Sequence, residues 1–106
     1  MRFHDRHERL TYLKATETAR RLVADPALIG TGLAFVHRFM APDPHQRGYT
    51  SLWLHLLARP AAEIAAALTA DSEQGRLLRE TCPVFGQGLT SREVVALQAQ
   101  ADAATV

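Results

Sequence analysis

The chain has 106 residues and a mass of 11.7 kDa, room for one hydrophobic core but not for a barrel enzyme or a doubly wound nucleotide-binding fold with its own substrate domain. Apolar residues at 47% and charged residues at 22% are ordinary globular usage and argue against wholesale disorder. Twelve basic residues against eleven acidic ones give a net charge of +1, so bulk charge advertises neither nucleic acid nor membrane, and the single cysteine, Cys82, excludes an internal disulfide and a cysteine-built zinc site.

Strand signals are nearly absent, and apolar residues recur with helical spacing. The expected fold is all-α, a single-domain bundle of five or six short helices over residues 1–106. The first helix is expected from about Asp5 to Ala24, with Asp5 as N-cap and Glu8 as its box partner. Tyr12, Ala15, Ala19 and Leu22 form one stripe, with Leu10, Leu13 and Val23 beside it. Asp25-Pro26 closes this helix and opens a second, from Pro26 to Met40, whose apolar residues cover more than one face. Gly30 and Gly32 cost this helix about 1 kcal/mol each relative to alanine, and close approach of another helix is the expected return, with a break as the alternative.

The loop 41–46 follows, because Pro42 and Pro44 cannot both sit inside a helix. A third helix, Arg47 to Ala58, carries Tyr49, Leu52, Trp53, Leu56 and Leu57, the strongest apolar face in the chain. Pro60 starts a fourth, with Ala61, Ile64, Ala65 and Leu68 as a stripe suited to close packing. Asp71, with Gln74, is read as the cap of a fifth helix ending near Glu80. A second loop runs from Thr81 to Leu89, and Val84 and Phe85 are apolar enough to tuck inward from it. Thr90 and Glu93 form a capping box for a last helix from Ser91, and residues 98–106 are expected to fray. The expected core is Leu13, Ala19, Leu22, Ile29, Leu33, Val36, Leu52, Trp53, Leu56, Ile64, Leu68, Leu78, Val94 and Leu97.

The segment Met1 to Leu10 has charge but no apolar stretch behind it, so no secretory signal is expected, and no run is long and apolar enough to span a bilayer. A cytoplasmic location is the default. Charge is uneven: residues 1–24 hold six basic and three acidic groups, and residues 61–106 hold three basic and six acidic ones.

Catalytic and metal chemistry find little support. His4 and His7, with Asp5 and Glu8, are the nearest approach to a ligand cluster, but a metal site needs three or four fixed ligands. His37, His45 and His55 have no partner at ligand spacing. Cys82 lacks a neighbouring base in sequence. Gly30-Thr-Gly32 and Gly86-Gln-Gly88 lack the lysine and the preceding strand of a phosphate loop. No carboxylate pair sits in an apolar context that would split its pKa values. A non-enzymatic protein without cofactor or metal is therefore expected.

Residues 63–78 read as helix, turn and helix, which opens a DNA-binding alternative through helices near 61–69 and 72–80. Against it, Asp71 and Glu73 would face phosphates, and Gly75 stands where such a motif packs a branched side chain. The segment 53–97 has the skeleton Trp53, Leu56-Leu57, Pro60, Glu63-Ile64, Leu68-Thr69-Ala70-Asp71-Ser72, Gly75-Arg76, Leu78-Arg79, Pro83, Phe85-Gly86, Leu89-Thr90 and Glu93. Over these residues, less than half of the chain, it resembles the small all-helical bacterial antitoxins of two-gene toxin–antitoxin pairs. The resemblance implies a bacterial, protein-binding neutraliser that covers the active surface of its partner without chemistry of its own. Anchors of such surfaces are most often Trp, Tyr or Arg. The expected partner-binding residues are Arg76, Arg79, Phe85 and Trp53, with the two arginines sharing a helix face and able to clamp a carboxylate. An inhibitor of a nuclease or another enzyme, coded by phage or host, shares this physics. A homodimer through the broad face of the second helix is a further option.

Overall fold

A computed structural model describes residues 3–86 and 90–103. Residues 87–89, where the second predicted loop ends at Leu89, and residues 104–106 of the predicted tail lie outside them. Among the described residues the chain forms six α-helices and no strand, the all-α single-domain bundle that the periodicity predicts.

Helix α1 (Arg6–Ala24) starts at the predicted cap: the Glu8 amide donates to Asp5 Oδ1 at 2.8 Å. The Glu8 carboxylate reaches back and accepts from the His4 amide at 3.0 Å, so the box closes one residue earlier than the pattern predicts. Leu10, Ala15, Ala19 and Leu22 are its buried face. Two of these are alanines, which lets α4 (Ala61–Leu68) lie close along α1 in the most extensive helix pair of the molecule. The other side of α1 receives α6 (Ser91–Ala103). Arg21 of α1 and Glu93 of α6 form an ion pair, as do Arg6 and Asp102 at the other end.

Helix α2 (Leu28–Phe35) begins two residues later than predicted. Asp25 does act as a cap, but of a tight turn: its carboxylate accepts from the Ala27 amide, and three successive i to i−3 bonds lead into the helix. The helix then widens into a π turn, Val36–Met40, closed by the Ala41 amide on the Val36 carbonyl at 2.8 Å. Every fourth residue of an α-helix overshoots a full turn by roughly 40°. The wider turn steps back, so Gly32, Val36 and Met40 stay in line as one buried stripe. Asp43 caps the short 3₁₀ turn Pro44–Gln46, and α3 (Arg47–Leu57) returns beside α2.

Core residues from α1, α2, α3, α4 and α5 (Glu73–Glu80) meet at Trp53, which is wholly buried. Its indole N–H donates to Thr81 Oγ1 at 2.9 Å, and that hydroxyl donates to the Leu77 carbonyl at 2.8 Å, so the one polar atom of the ring is satisfied. Phe85 tucks inward as expected, 6.2 Å from Trp53 between ring centroids, whereas Val84 stays exposed.

Several expectations are corrected. Half of the predicted core is fully buried; Leu33 is exposed, because it lies off the 32–36–40 stripe. Leu57, Met40, Leu10 and Ala101 are core residues that the pattern did not select. Ser72, not Asp71, caps α5, with its hydroxyl accepting from the Gly75 amide at 3.0 Å. Residues 98–103 are helical, since Ala101 is buried against α1 and its carbonyl accepts from Arg9 at 3.3 Å. Of Gly30 and Gly32, only Gly32 receives a close approach, and it comes from Phe85 rather than from a helix: a Cβ at Gly32 would stand 2.1 Å from Phe85 Cε1, while one at Gly30 would meet nothing within 4 Å.

Two outcomes follow from this packing. Gly32→Ala is expected to destabilise the fold by about 1–3 kcal/mol through overpacking, and Gly30→Ala to stabilise it by about 0.5–1 kcal/mol through helix propensity; urea unfolding of the pair measures both. On α1, hydrogen bonds from Arg20 and Arg21 pull the Glu17 carboxyl down from 4.5 to about 2. A lowered carboxylate pKa adds stability above the unfolded value that disappears as the pH falls through the folded one. Glu17→Gln is therefore expected to cost up to about 1 kcal/mol at neutral pH, and the difference should vanish between pH 4.5 and 2, read by denaturant unfolding across that window.

Candidate functional site

Two surfaces stand out. The first is a cleft of about 360 Å³ between α1 and the segment that leaves α5. Thr11, Lys14, Ala15, Thr18 and Arg21, which follow helical spacing along α1, make one wall. The opposite wall is Cys82, Pro83, Val84 and Phe85, with Arg79 from α5 and Val94 from α6. Among the described residues no Asp or Glu lines it.

Arg79 is only 8% exposed, because Gly75 lets α5 sit close to the end of α4. A Cβ at Gly75 would stand 2.3 Å from the Ala70 carbonyl oxygen. Across that gap Arg79 Nη1 donates to the carbonyls of Leu68 and Ala70 at 3.1 and 2.9 Å, and the guanidinium lies over the Tyr12 ring at 5.4 Å. It thus closes the C-terminus of α4, where free carbonyls favour a cation. Arg21 is held by Glu17 and Glu93. Lys14 has no ion-pair partner among the described residues. Burial pushes the Cys82 thiol up to about 12, and its Sγ lies 3.4 Å from the Pro83 carbonyl. At neutral pH it is a thiol and a poor nucleophile.

The second surface lies on the α2–α3 hairpin. Phe39, on the π turn, is 54% exposed; its ring lies 4.9 Å from Phe35, which packs on the core, and the Arg38 guanidinium lies 5.1 Å above it. Leu33 and Tyr49 on the same hairpin are also exposed. A π turn inside a helix is often found at functional positions.

The four residues expected to bind a partner are scattered by this arrangement. Trp53 and Phe85 are core, and Arg79 is turned inward, so none of the three is presented as a surface anchor; Arg79 and Phe85 do meet in the wall of the cleft. Arg76 alone is on the surface, between Glu73 at 3.5 Å and Glu8 at 3.8 Å, and does not share a clamp with Arg79. In the 63–78 unit, α4 and α5 do form a helix, turn and helix, but neither arginine is free to face a duplex, and the Glu73 side chain at the start of α5 is 88% exposed. Sequence reasoning missed Phe39 with Arg38, for which adjacent aromatic and cation on an over-apolar helix were the available signal. Lys14 reads from sequence only as one charge of a basic first helix with Arg6, Arg9, Arg20 and Arg21; its helical spacing with Thr11 and Thr18 was the visible signal for the cleft wall.

Asp5 and Glu8 use their carboxylates on backbone amides, and among the described residues no three His, Cys, Asp or Glu side chains are grouped to hold a metal ion. Among the same residues no helix is long and apolar enough to cross a membrane. No family model matches the chain, and no curated protein and no solved structure matches it either.

The state of Cys82 has a direct readout. Alkylation by iodoacetamide is expected to be slow in the native protein near neutral pH and to keep rising with pH toward about 12, whereas the unfolded chain should level off near the ordinary thiol value of 9.0. A native profile that levels off near 9.0 would contradict the burial argument.

Proposed function

We propose that the protein is a non-catalytic binding protein that occludes the active surface of a partner protein, as do the antitoxin-like proteins its 53–97 segment resembles. The observation that carries this reading is Phe39. A large ring left half in water packs on Phe35 and carries the Arg38 guanidinium over its face. With 54% of Phe39 exposed, covering that part is worth half of a full burial, about 1–1.5 kcal/mol, enough for an interface residue whose truncation is felt. Because Phe35 and Arg38 hold the ring, little rotamer freedom remains to be lost on docking.

Charge narrows the partner. Between residues 27 and 58 the formal charges are Arg38, Arg47 and Asp43. The Asp43 carboxylate is occupied by the His45 amide at 2.9 Å and the Gln46 side chain at 3.1 Å. Arg38 and Arg47 have no ion pair among the described residues. An exposed aromatic ring, with a cation that has no such ion pair stacked over it, suits a partner with an apolar pocket rimmed by Asp and Glu. A second copy of this chain would set cation against cation, so a different protein is the better fit. The reading puts the encounter in the bacterial cytoplasm.

The test is capture of the tagged chain from its host lysate with and without nuclease, read by mass spectrometry, beside Phe39→Ala and Arg38→Glu. A stoichiometric protein that survives nuclease and is bound at least ~10-fold more weakly by both variants, at unchanged helicity, is the expected result. Equal capture by the variants, or recovery of nucleic acid alone, overturns it; the latter would favour the helix–turn–helix alternative.

A further inference from the structure

We propose that the cleft between α1 and the chain leaving α5 is a binding site for a small amphiphilic monocarboxylate, whose head is held by Arg79 and Lys14 and whose apolar body lies on the wall formed by Val84, Phe85 and Val94. This site lies apart from the Phe39 surface and stands or falls independently of it. At about 360 Å³ the cleft falls within the range of small-molecule sites, roughly 300–1,000 Å³.

Arg79 is the central observation. Its Nη1 is used on the carbonyls of Leu68 and Ala70, but Nε and Nη2 make no hydrogen bond among the described residues. Neither is sealed away: the one sealed side-chain nitrogen or oxygen without a partner among those residues is Thr50 Oγ1. Arg79 lines the cleft while being almost wholly buried elsewhere, so the cleft is where these two donors remain reachable. Nε–H and one Nη2–H form the side-on fork that matches the two oxygens of a carboxylate. The guanidinium also has no carboxylate partner among the described residues. A charge held out of water in this way gains most from an incoming counter-ion.

The neighbours set the charge and shape of the ligand. Lys14 supplies a second unpaired cation, and Thr18 a hydroxyl with no hydrogen bond among the described residues. Arg21 lines the cleft too, but Glu17 and Glu93 hold its charge, and their carboxylates disfavour a second negative group at that end. Arg79 and Lys14 can together hold one carboxylate head, and the acids at the Arg21 end leave no counter-charge there for a second. Apart from Thr11, whose hydroxyl donates to the His7 carbonyl, the rest of the lining among the described residues is apolar, which suits a short aliphatic or aromatic body rather than a sugar or a nucleotide. The Cys82 thiol, neutral in this setting, belongs to that apolar wall.

The experiment is NMR titration of the full-length protein with octanoate, its uncharged analogue octanamide, and inorganic phosphate. Saturable shifts confined to the amides of Thr11, Lys14, Thr18, Val84 and Val94 are expected with octanoate at millimolar concentration. Octanamide should bind ~10-fold more weakly or worse, and Lys14→Gln should weaken octanoate by a similar factor. Arg79→Lys should weaken it further; because Arg79 also closes α4, Lys14→Gln, on the surface of α1, carries the test if that variant does not fold. No saturable shift with octanoate overturns the proposal. So does equal binding of octanamide, which would make the cleft an apolar groove, or binding of phosphate alone, which would make it a simple anion site.

Discussion

Phe85 holds the two parts of the molecule together. It comes from a loop, not a helix, and its ring fills the space that Gly32 leaves open on α2 while standing against Trp53 of α3. Trp53 in turn is tied through Thr81 to the end of α5. The α2–α3 hairpin shares one core cluster with α1, α4 and α5, and Phe85 and Trp53 are its aromatic pair, whose only polar atom is hydrogen-bonded. A buried phenylalanine contributes up to about 3 kcal/mol, a large share of what keeps a small domain folded.

What could be read in the sequence was whatever depends on neighbours a few residues away. The Asp5–Glu8 and Thr90–Glu93 boxes, the loop at Pro42 and Pro44, the helix breaks at Pro60 and Pro83, and the α4 stripe of small residues all follow from local chemistry, and each is found. What could not be read depends on distant chain. Arg79 looks like a surface residue until Gly75 and the end of α4 are placed beside it. Ala101 looks like part of a fraying tail until α1 lies under it. The π turn leaves no local mark, because it serves the alignment of Gly32, Val36 and Met40 against a core built by other helices. Trp53 and Phe85 have the composition of binding anchors, yet one small domain has few large rings, and it needs these two inside.

Arg79 shows how one side chain joins stability to recognition. One nitrogen closes a helix end, one face lies over an aromatic ring, and the remaining edge stays open to the cleft. Because the first two contacts fix the guanidinium, the third edge is oriented before anything arrives, and pre-orientation lowers the entropy lost on binding. The same rigidity explains Gly75: any side chain there would push α5 away from α4 and take the guanidinium with it.

The pairing of α1 with α6 has a kinetic meaning. Arg6 and Asp102, 96 positions apart, stand side by side, and Leu10 and Ala101 are both buried where the two helices meet. Contacts of such long range form late, since the loop between them must close before they contribute. α4 lies along α1 across a shorter connection, whereas α6 adds its cover only after the far longer connection to residues 91–103 has closed. Until α6 docks, the part of α1 that it covers stays in water, so that docking closes an apolar seam which would otherwise be open to other chains.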